Sequence, residues 1–204
     1  MASRIFTLAT NKLINGLVLA GGQSKRMGHD KALLRMDGET QLSRAVHLLE
    51  SFVDRVFVST RADQQDEPER GKFAQIVDQY HELGPIAGIL TAMEAHPDAG
   101  WLVLACDLPN IDETTIRFLL ENRSFDHPFT AYKSSVDGLP EPLCAFYAAG
   151  ASAIIKAFID EGINCPRQVL IRSNTHLLDQ VNPEALDNIN TPEDLARTGI
   201  KVAS

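Results

Sequence analysis

An apolar run from Ile14 to Ala20, interrupted only by Asn15 and Gly16, stops at the pair Gly21 and Gly22. That is the pattern of a buried parallel strand running into a tight turn. After a turn at Asp37, Gly38, Glu39 and Thr40, the residues Leu42, Ala45, Val46, Leu48, Leu49 and Phe52 recur at helical spacing and predict a core-facing helix. Residues 53–60 read as a second strand, residues 61–72 as a polar, solvent-exposed loop, and residues 73–77 as a short third strand. Gly84, Pro85 and Gly88 mark a turn ahead of a helical run through Leu90, Ala92, Met93 and Ala95. Residues 101–106 form the clearest buried strand, followed by a helix over residues 114–121, for which Asp112 is placed as the cap.

The second half is patterned differently. Residues 129–133 and 143–147 read as strands, and the latter is entered through Pro140 and Pro142, which predicts an antiparallel or edge strand. Helices are expected over residues 151–161, stopped by Gly162, and over residues 165–173, with a short strand at 175–178. Near the end, Asn188 and Asn190 share one face of an extended segment, and Thr191 caps a helix starting at Pro192. Strand and helix alternate through about residue 120. This predicts an α/β chain with a single doubly wound, mainly parallel sheet, helices on both faces and a few antiparallel elements in the C-terminal half. Residues 1–12 read as an N-terminal extension and residues 13–204 as one domain, since 204 residues suffice for one sizeable core.

Composition changes this picture little. Apolar residues make up 44% and charged residues 23%, ordinary globular usage, so neither disorder nor a fibrous class is suggested. A net charge of −8 argues against a general nucleic-acid surface while leaving room for a local basic pocket. Cys106, Cys144 and Cys165 are odd in number and lack a close pair, so no disulfide framework or zinc site is expected. No apolar run reaches membrane-spanning length, and the first residues lack the core of a signal peptide. The expectation is a soluble cytoplasmic protein.

The candidate chemistry sits where strands end. Lys25, Arg26 and Lys31 follow the two glycines with one acid, Asp30, among them, an arrangement suited to a triphosphate. The spacing matches neither a P-loop nor a dinucleotide-binding fingerprint. Asp78 closes the third strand, at the sheet edge where ligands of open α/β sheets collect, although a capping acid would look the same. Asp107 closes the buried strand before Leu108 and Pro109, and a hard oxygen ligand there suits Mg²⁺. The small residues Gly84, Pro85 and Gly88 would let a flat base or ribose lie against the backbone. Glu141 beside Pro142 either shapes an acceptor pocket or faces water, and the same pair of readings holds for Arg167 and Arg172.

The segment Leu19, Ala20, Gly21, Gly22, Ser24, Arg26, Met27, Gly28, Asp30 and Lys31 resembles the signature loop of the molybdenum cofactor guanylyltransferase family of nucleotidyltransferases. Asp78, the Cys106-Asp107-Leu108-Pro109 segment and the closing run from Asn188 to Glu193 are similar to its other motifs, so the resemblance spans residues 14–196. It implies a Rossmann-like nucleotidyltransferase fold and transfer of GMP from GTP to the terminal phosphate of molybdopterin, with or without bound molybdenum, releasing pyrophosphate. It further implies that Leu19, Ala20, Gly21, Gly22, Lys31, Asp78 and Asp107 contact the nucleotide, that Asp107 binds Mg²⁺, and that Gly84, Pro85 and Gly88 flank the guanosine. Arg26 and Lys31 would neutralise the phosphates, and Asn188 and Asn190 would lie near the acceptor and the metal, whereas the segment from Leu139 to Leu143, with Glu141, is less typical of the family. Ser59 stands where many relatives carry asparagine, so no nucleotide contact is carried over to it. A related cytidylyltransferase, a sugar-phosphate nucleotidyltransferase and a non-catalytic GTP-binding subunit are the alternatives, and an apoenzyme or another cofactor-synthesis protein is a further possible partner.

Overall fold

The computed structural model describes residues 13–22 and 30–188. Strand β1, Ile14–Leu19, leads towards the glycine pair. A 3₁₀ turn, Lys31–Leu33, then precedes a small hairpin of β2, Arg35–Met36, and β3, Glu39–Thr40. Asp37 and Gly38 both take positive φ, 53° and 88°, as the two-residue hairpin turn whose twist matches its strands requires. Helix α1, Gln41–Glu50, is capped by the Thr40 hydroxyl, which accepts from the Ser43 amide. There follow β4, Arg55–Thr60, β5, Gln75–Val77, helix α2, Pro85–Ala95, and β6, Gly100–Ala105. Helix α3, Glu113–Glu121, is capped by Asp112 as expected, with its carboxylate accepting from Thr115. The chain continues through β7, Phe129–Lys133, β8, Pro140–Tyr147, α4, Ser152–Asp160, α5, Pro166–Arg172, and β9, Thr175–Leu178.

Seven strands make one sheet in the order β5, β4, β1, β6, β8, β7, β9. β1 lies inside it, parallel to β4 on one side and β6 on the other, with Leu17 opposite both Phe57 and Val103. This position explains its unbroken apolar run, since both faces and both edges are covered and Leu17 and Val18 are fully buried. Alternate residues feed two cores. Val18, Leu102, Leu104 and Phe146 pack with α1 and α3, while Leu17, Trp101, Val103 and Tyr147 pack with α2, α4 and α5. The doubly wound, mainly parallel sheet expected from the sequence is therefore the fold. Among the described residues no helix is long and apolar enough to cross a membrane.

β8 is antiparallel to both neighbours and interior rather than at an edge. Pro142 is accommodated by a shift in register. Ala131 faces Ala145, but Tyr132 faces Glu141, so Pro142 falls outside the ladder with β7 and its missing N–H breaks no rung there.

Two local expectations are corrected. Gly88 lies inside α2 and not in a preceding turn; the helix is buried continuously from Ile86 to Met93, so it carries no polar stripe by which its start could be read. The 61–72 connection is not wholly exposed either. It winds through two 3₁₀ turns, Ala62–Gln64 and Arg70–Lys72, and among the described residues Arg70 is the only buried Lys, Arg, Asp or Glu.

Candidate functional site

The parallel strands β1, β4, β5 and β6 all end at one edge of the sheet, which brings Gly21 and Gly22, Arg61, Asp78 and Asp107 together from four separate stretches of chain. A cavity of about 940 Å³ opens along this edge. Leu19, Ala20, Gly21, Gly22, Lys31, Asp78, Gly84, Pro85 and Asp107 all line it. Gly88 lies beneath its wall, where a Cβ would sit 2.2 Å from Ser59 Oγ and 3.1 Å from Asp78 Oδ1; only a glycine lets α2 pack this closely on β4 and β5. Gly84 takes φ 65° at the N-cap of α2, directing Pro85 into the first turn beside the cavity.

Lys31 Nζ stands 3.1 Å from Asp107 Oδ2, with the two side chains 16% and 23% exposed. Lys31 rides on the 3₁₀ turn capped by Asp30, whose Oδ1 accepts from the Ala32 amide at 3.0 Å. A carboxylate at the end of β6 and a cation on the 3₁₀ turn beyond β1 thus meet at the cavity. Asp78 accepts from Ser59 Oγ at 2.7 Å through Oδ1, and its Oδ2 is turned towards Gly21. Burial pushes the Asp78 carboxyl above its ordinary range, although the Ser59 hydrogen bond and the Arg61 charge pull it down. Cys106 also borders the cavity, but burial and the neighbouring Asp107 push its thiol up, so it is not a poised nucleophile.

Among the described residues no group of three or more His, Cys, Asp or Glu side chains could hold a metal by themselves. The donor set fits a different arrangement. Mg²⁺ keeps several waters and takes one or two carboxylates plus substrate phosphates, and a single partly exposed carboxylate beside a polyphosphate-sized cavity suits that mode.

Three residues contribute that sequence reasoning passed over. Ser59, for which no contact was carried over, lines the cavity and holds Asp78. Arg61 donates from Nη1 to the Gly21 carbonyl and is gripped by Asp63, which accepts from Nε and Nη2 at 2.9 Å each. Arg70 donates from Nη2 to the Ala20 carbonyl and to Asp30 Oδ2, at 2.7 Å in both cases. No local signal marks these arginines for the site, because the site groups they hold, Ala20, Gly21 and Asp30, lie forty or more positions away in the chain.

Glu141 does not join the large cavity. It lines a second pocket of about 280 Å³, together with Asn188, Asp137 and Arg167. There Arg167 bridges two acids, Asp137 at 3.1 Å and Glu141 at 2.9 Å, while Arg172 is exposed. Lys25, Arg26 and Asn190 lie outside the described residues.

Residues 16–177 match the family described as the MobA-like NTP transferase domain. The chain is 36% identical over 179 residues to a molybdenum cofactor biosynthesis bifunctional protein of Synechocystis, covering 88% of this chain and spanning 52%, about half, of that relative's length. It is 30% identical over 187 residues to a probable molybdenum cofactor guanylyltransferase of Bacillus mycoides, covering 88% of this chain and 92% of that one. Among solved structures it is similar to molybdopterin-guanine dinucleotide biosynthesis protein A from Archaeoglobus fulgidus, with a TM-score of 0.75 and 25% identity over 91% of this chain and 96% of the other.

Proposed function

This chain belongs to the MobA-like NTP transferase family and is a nucleotidyltransferase, and from that premise we propose that it transfers GMP from GTP to the terminal phosphate of molybdopterin. The observation that carries this reading is the single cavity of about 940 Å³ that gathers the glycine pair, Lys31, Asp78 and Asp107.

An oxygen of the acceptor phosphate attacks the α-phosphorus of GTP in line; a new P–O bond forms, the α–β bridging P–O bond breaks, and its electron pair leaves with pyrophosphate. The acceptor is already an anion, so no side chain has to remove a proton. Catalysis then consists of positioning and charge neutralisation. The backbone of Leu19 to Gly22 lies against the phosphates, and Lys31 and Arg26 balance charge on the leaving group. Asp107 would hold Mg²⁺, which when bound neutralises phosphate oxygens. Asp78, Gly84 and Pro85 take the guanosine side, with Gly88 behind them letting α2 pack close, and Glu141, Asn188 and Asn190 take the acceptor. Free thiols at Cys106, Cys144 and Cys165 suit a reducing cytoplasm.

Calorimetry with GTP, CTP, ATP and UTP in the presence of Mg²⁺ tests the reading, followed by pyrophosphate release with molybdopterin. GTP-selective binding with acceptor-dependent release is expected. A preference for CTP moves the chain to cytidylyl transfer, release with a sugar phosphate in place of molybdopterin changes the acceptor, and GTP binding without any release makes it a binding subunit.

A further inference from the structure

Arg70 has no part in the reaction as written, yet its side chain is fully buried. A buried guanidinium is costly unless its hydrogen bonds and charge are met. Here the charge is met by two carboxylates: Nη2 serves both the Ala20 carbonyl and Asp30 Oδ2 at 2.7 Å and Nη1 reaches Glu67 Oε2 at 3.3 Å, while Nε has no partner among the described residues. Glu67 Oε2 also accepts from the Arg70 amide at 2.9 Å, which fixes the side chain relative to its own backbone. Arg61, earlier on the same connection between β4 and β5, holds the next carbonyl, that of Gly21.

Two successive carbonyls are therefore held by two arginines from one connection. In a planar trans peptide the C=O and the following N–H point in opposite directions, so fixing Ala20 O and Gly21 O fixes the directions of the Gly21 and Gly22 amides. Arg70 acts on a second element as well. Asp30, which it grips, caps the turn carrying Lys31, and Lys31 meets Asp107 at 3.1 Å. Asp30 also lines the cavity with a 28% exposed side chain, where an uncompensated carboxylate would repel phosphate.

We infer that Arg70, assisted by Arg61, is a positioning residue that orients the phosphate-binding amides and the Lys31 turn before nucleotide arrives and cancels the charge of Asp30. This rests on the nucleotidyl-transfer reading and deepens it.

Arg70→Lys keeps the charge but loses the planar fork that reaches Ala20, Asp30 and Glu67 together. Arg61→Gln releases Gly21 at a side chain that is 29% exposed, so it tests the same hold with less risk to folding. Calorimetric Kd values for GTP and for inorganic pyrophosphate, each with Mg²⁺, are measured beside thermal unfolding and the KM values for GTP and acceptor. Both ligands are expected to bind about tenfold more weakly to Arg70→Lys and about threefold more weakly to Arg61→Gln, as loss of charge-assisted hydrogen bonds implies. KM for GTP should rise in parallel while KM for the acceptor stays. A smaller folded fraction would instead lower the rate at every concentration and leave these constants unmoved. Wild-type affinities in folded Arg70→Lys overturn the inference; if that variant does not fold, wild-type affinities in Arg61→Gln overturn it. Failure of the nucleotide reading looks different: the wild-type chain then binds pyrophosphate without GTP, and weaker pyrophosphate binding by Arg70→Lys still supports the positioning role.

Discussion

Two pockets share the edge of one sheet and are built on opposite plans. The larger stands where four parallel strands end, so β1 delivers glycine amides, β4 Ser59 and Arg61, and β5 and β6 a carboxylate each, all at the same edge. The smaller stands where antiparallel β8 begins beside the ends of β7 and β9, and Glu141 at the start of β8 and Asp137 in the connection before it both meet Arg167 in the first turn of α5. In the first, the backbone is fixed from behind and the charged groups front a wide cavity. In the second, an arginine and two acids already satisfy one another. The contrast teaches that the first pocket joins backbone groups fixed from behind to the Lys31–Asp107 pair, whereas the second centres on one arginine shared by two acids, so that an acceptor entering it has to exchange ion pairs for its own.

Removal of charge at the first pocket should have the largest effect. Asp107→Ala is expected to lower pyrophosphate release about 10³-fold and Lys31→Ala about 10²-fold, with thermal unfolding near that of the wild type because both side chains are partly exposed. A wild-type rate in Asp107→Ala with Mg²⁺ would break the comparison, since the reaction would not be centred there. At the second pocket, Arg167→Gln frees Asp137 and Glu141. KM for the acceptor should rise about tenfold, the size expected for losing a charge-assisted pair, while Kd for GTP stays within about twofold. Equal changes in both constants would show that the two pockets act as one.

The smallest effect sharpens the comparison from the side of stability. Burial raises the Asp78 carboxyl above its ordinary 3.8, so the folded chain holds that proton more tightly than the unfolded one. The group therefore favours folding most in acid, and its contribution falls as pH rises from the unfolded value through the raised folded one. Above that it is a constant penalty. Asp78→Asn, which still accepts from Ser59, should gain about 2–4 °C in Tm at pH 7 without nucleotide and lose the gain below about pH 4, while binding GTP less selectively. An unchanged Tm at pH 7 would mean that the desolvated charge carries no such cost.

The centre of the sheet was legible because β1 and β6 are apolar runs ending at glycine or an acid. Phe129–Lys133 and Thr175–Leu178 fall where the pattern predicts them, and the prolines of β8 announced its antiparallel course. The glycine pair and the acids closing β5 and β6 were legible as a group because parallel strands must end together. What was not legible depends on distant partners. The 61–72 connection is polar in composition, and polar composition reads as solvated. Its burial at Arg70 is decided by Ala20 and Asp30, which no window of sequence joins to it. Gly88 was misread for a related reason: a helix covered on all sides has no amphipathic period, and two nearby small residues then look like a turn.

The contact between Gly88 and Ser59 also restricts the order in which this chain can change. A methyl group at position 88 would stand 2.2 Å from Ser59 Oγ and 3.0 Å from its Cβ, so an alanine there is obstructed while serine occupies position 59. Trimmed first to glycine, position 59 removes both obstructing atoms, and the alanine then meets mainly the Asp78 oxygen at 3.1 Å. The two positions are thus coupled by contact, and an added methyl inside the helix is easier to place after the strand residue has been trimmed.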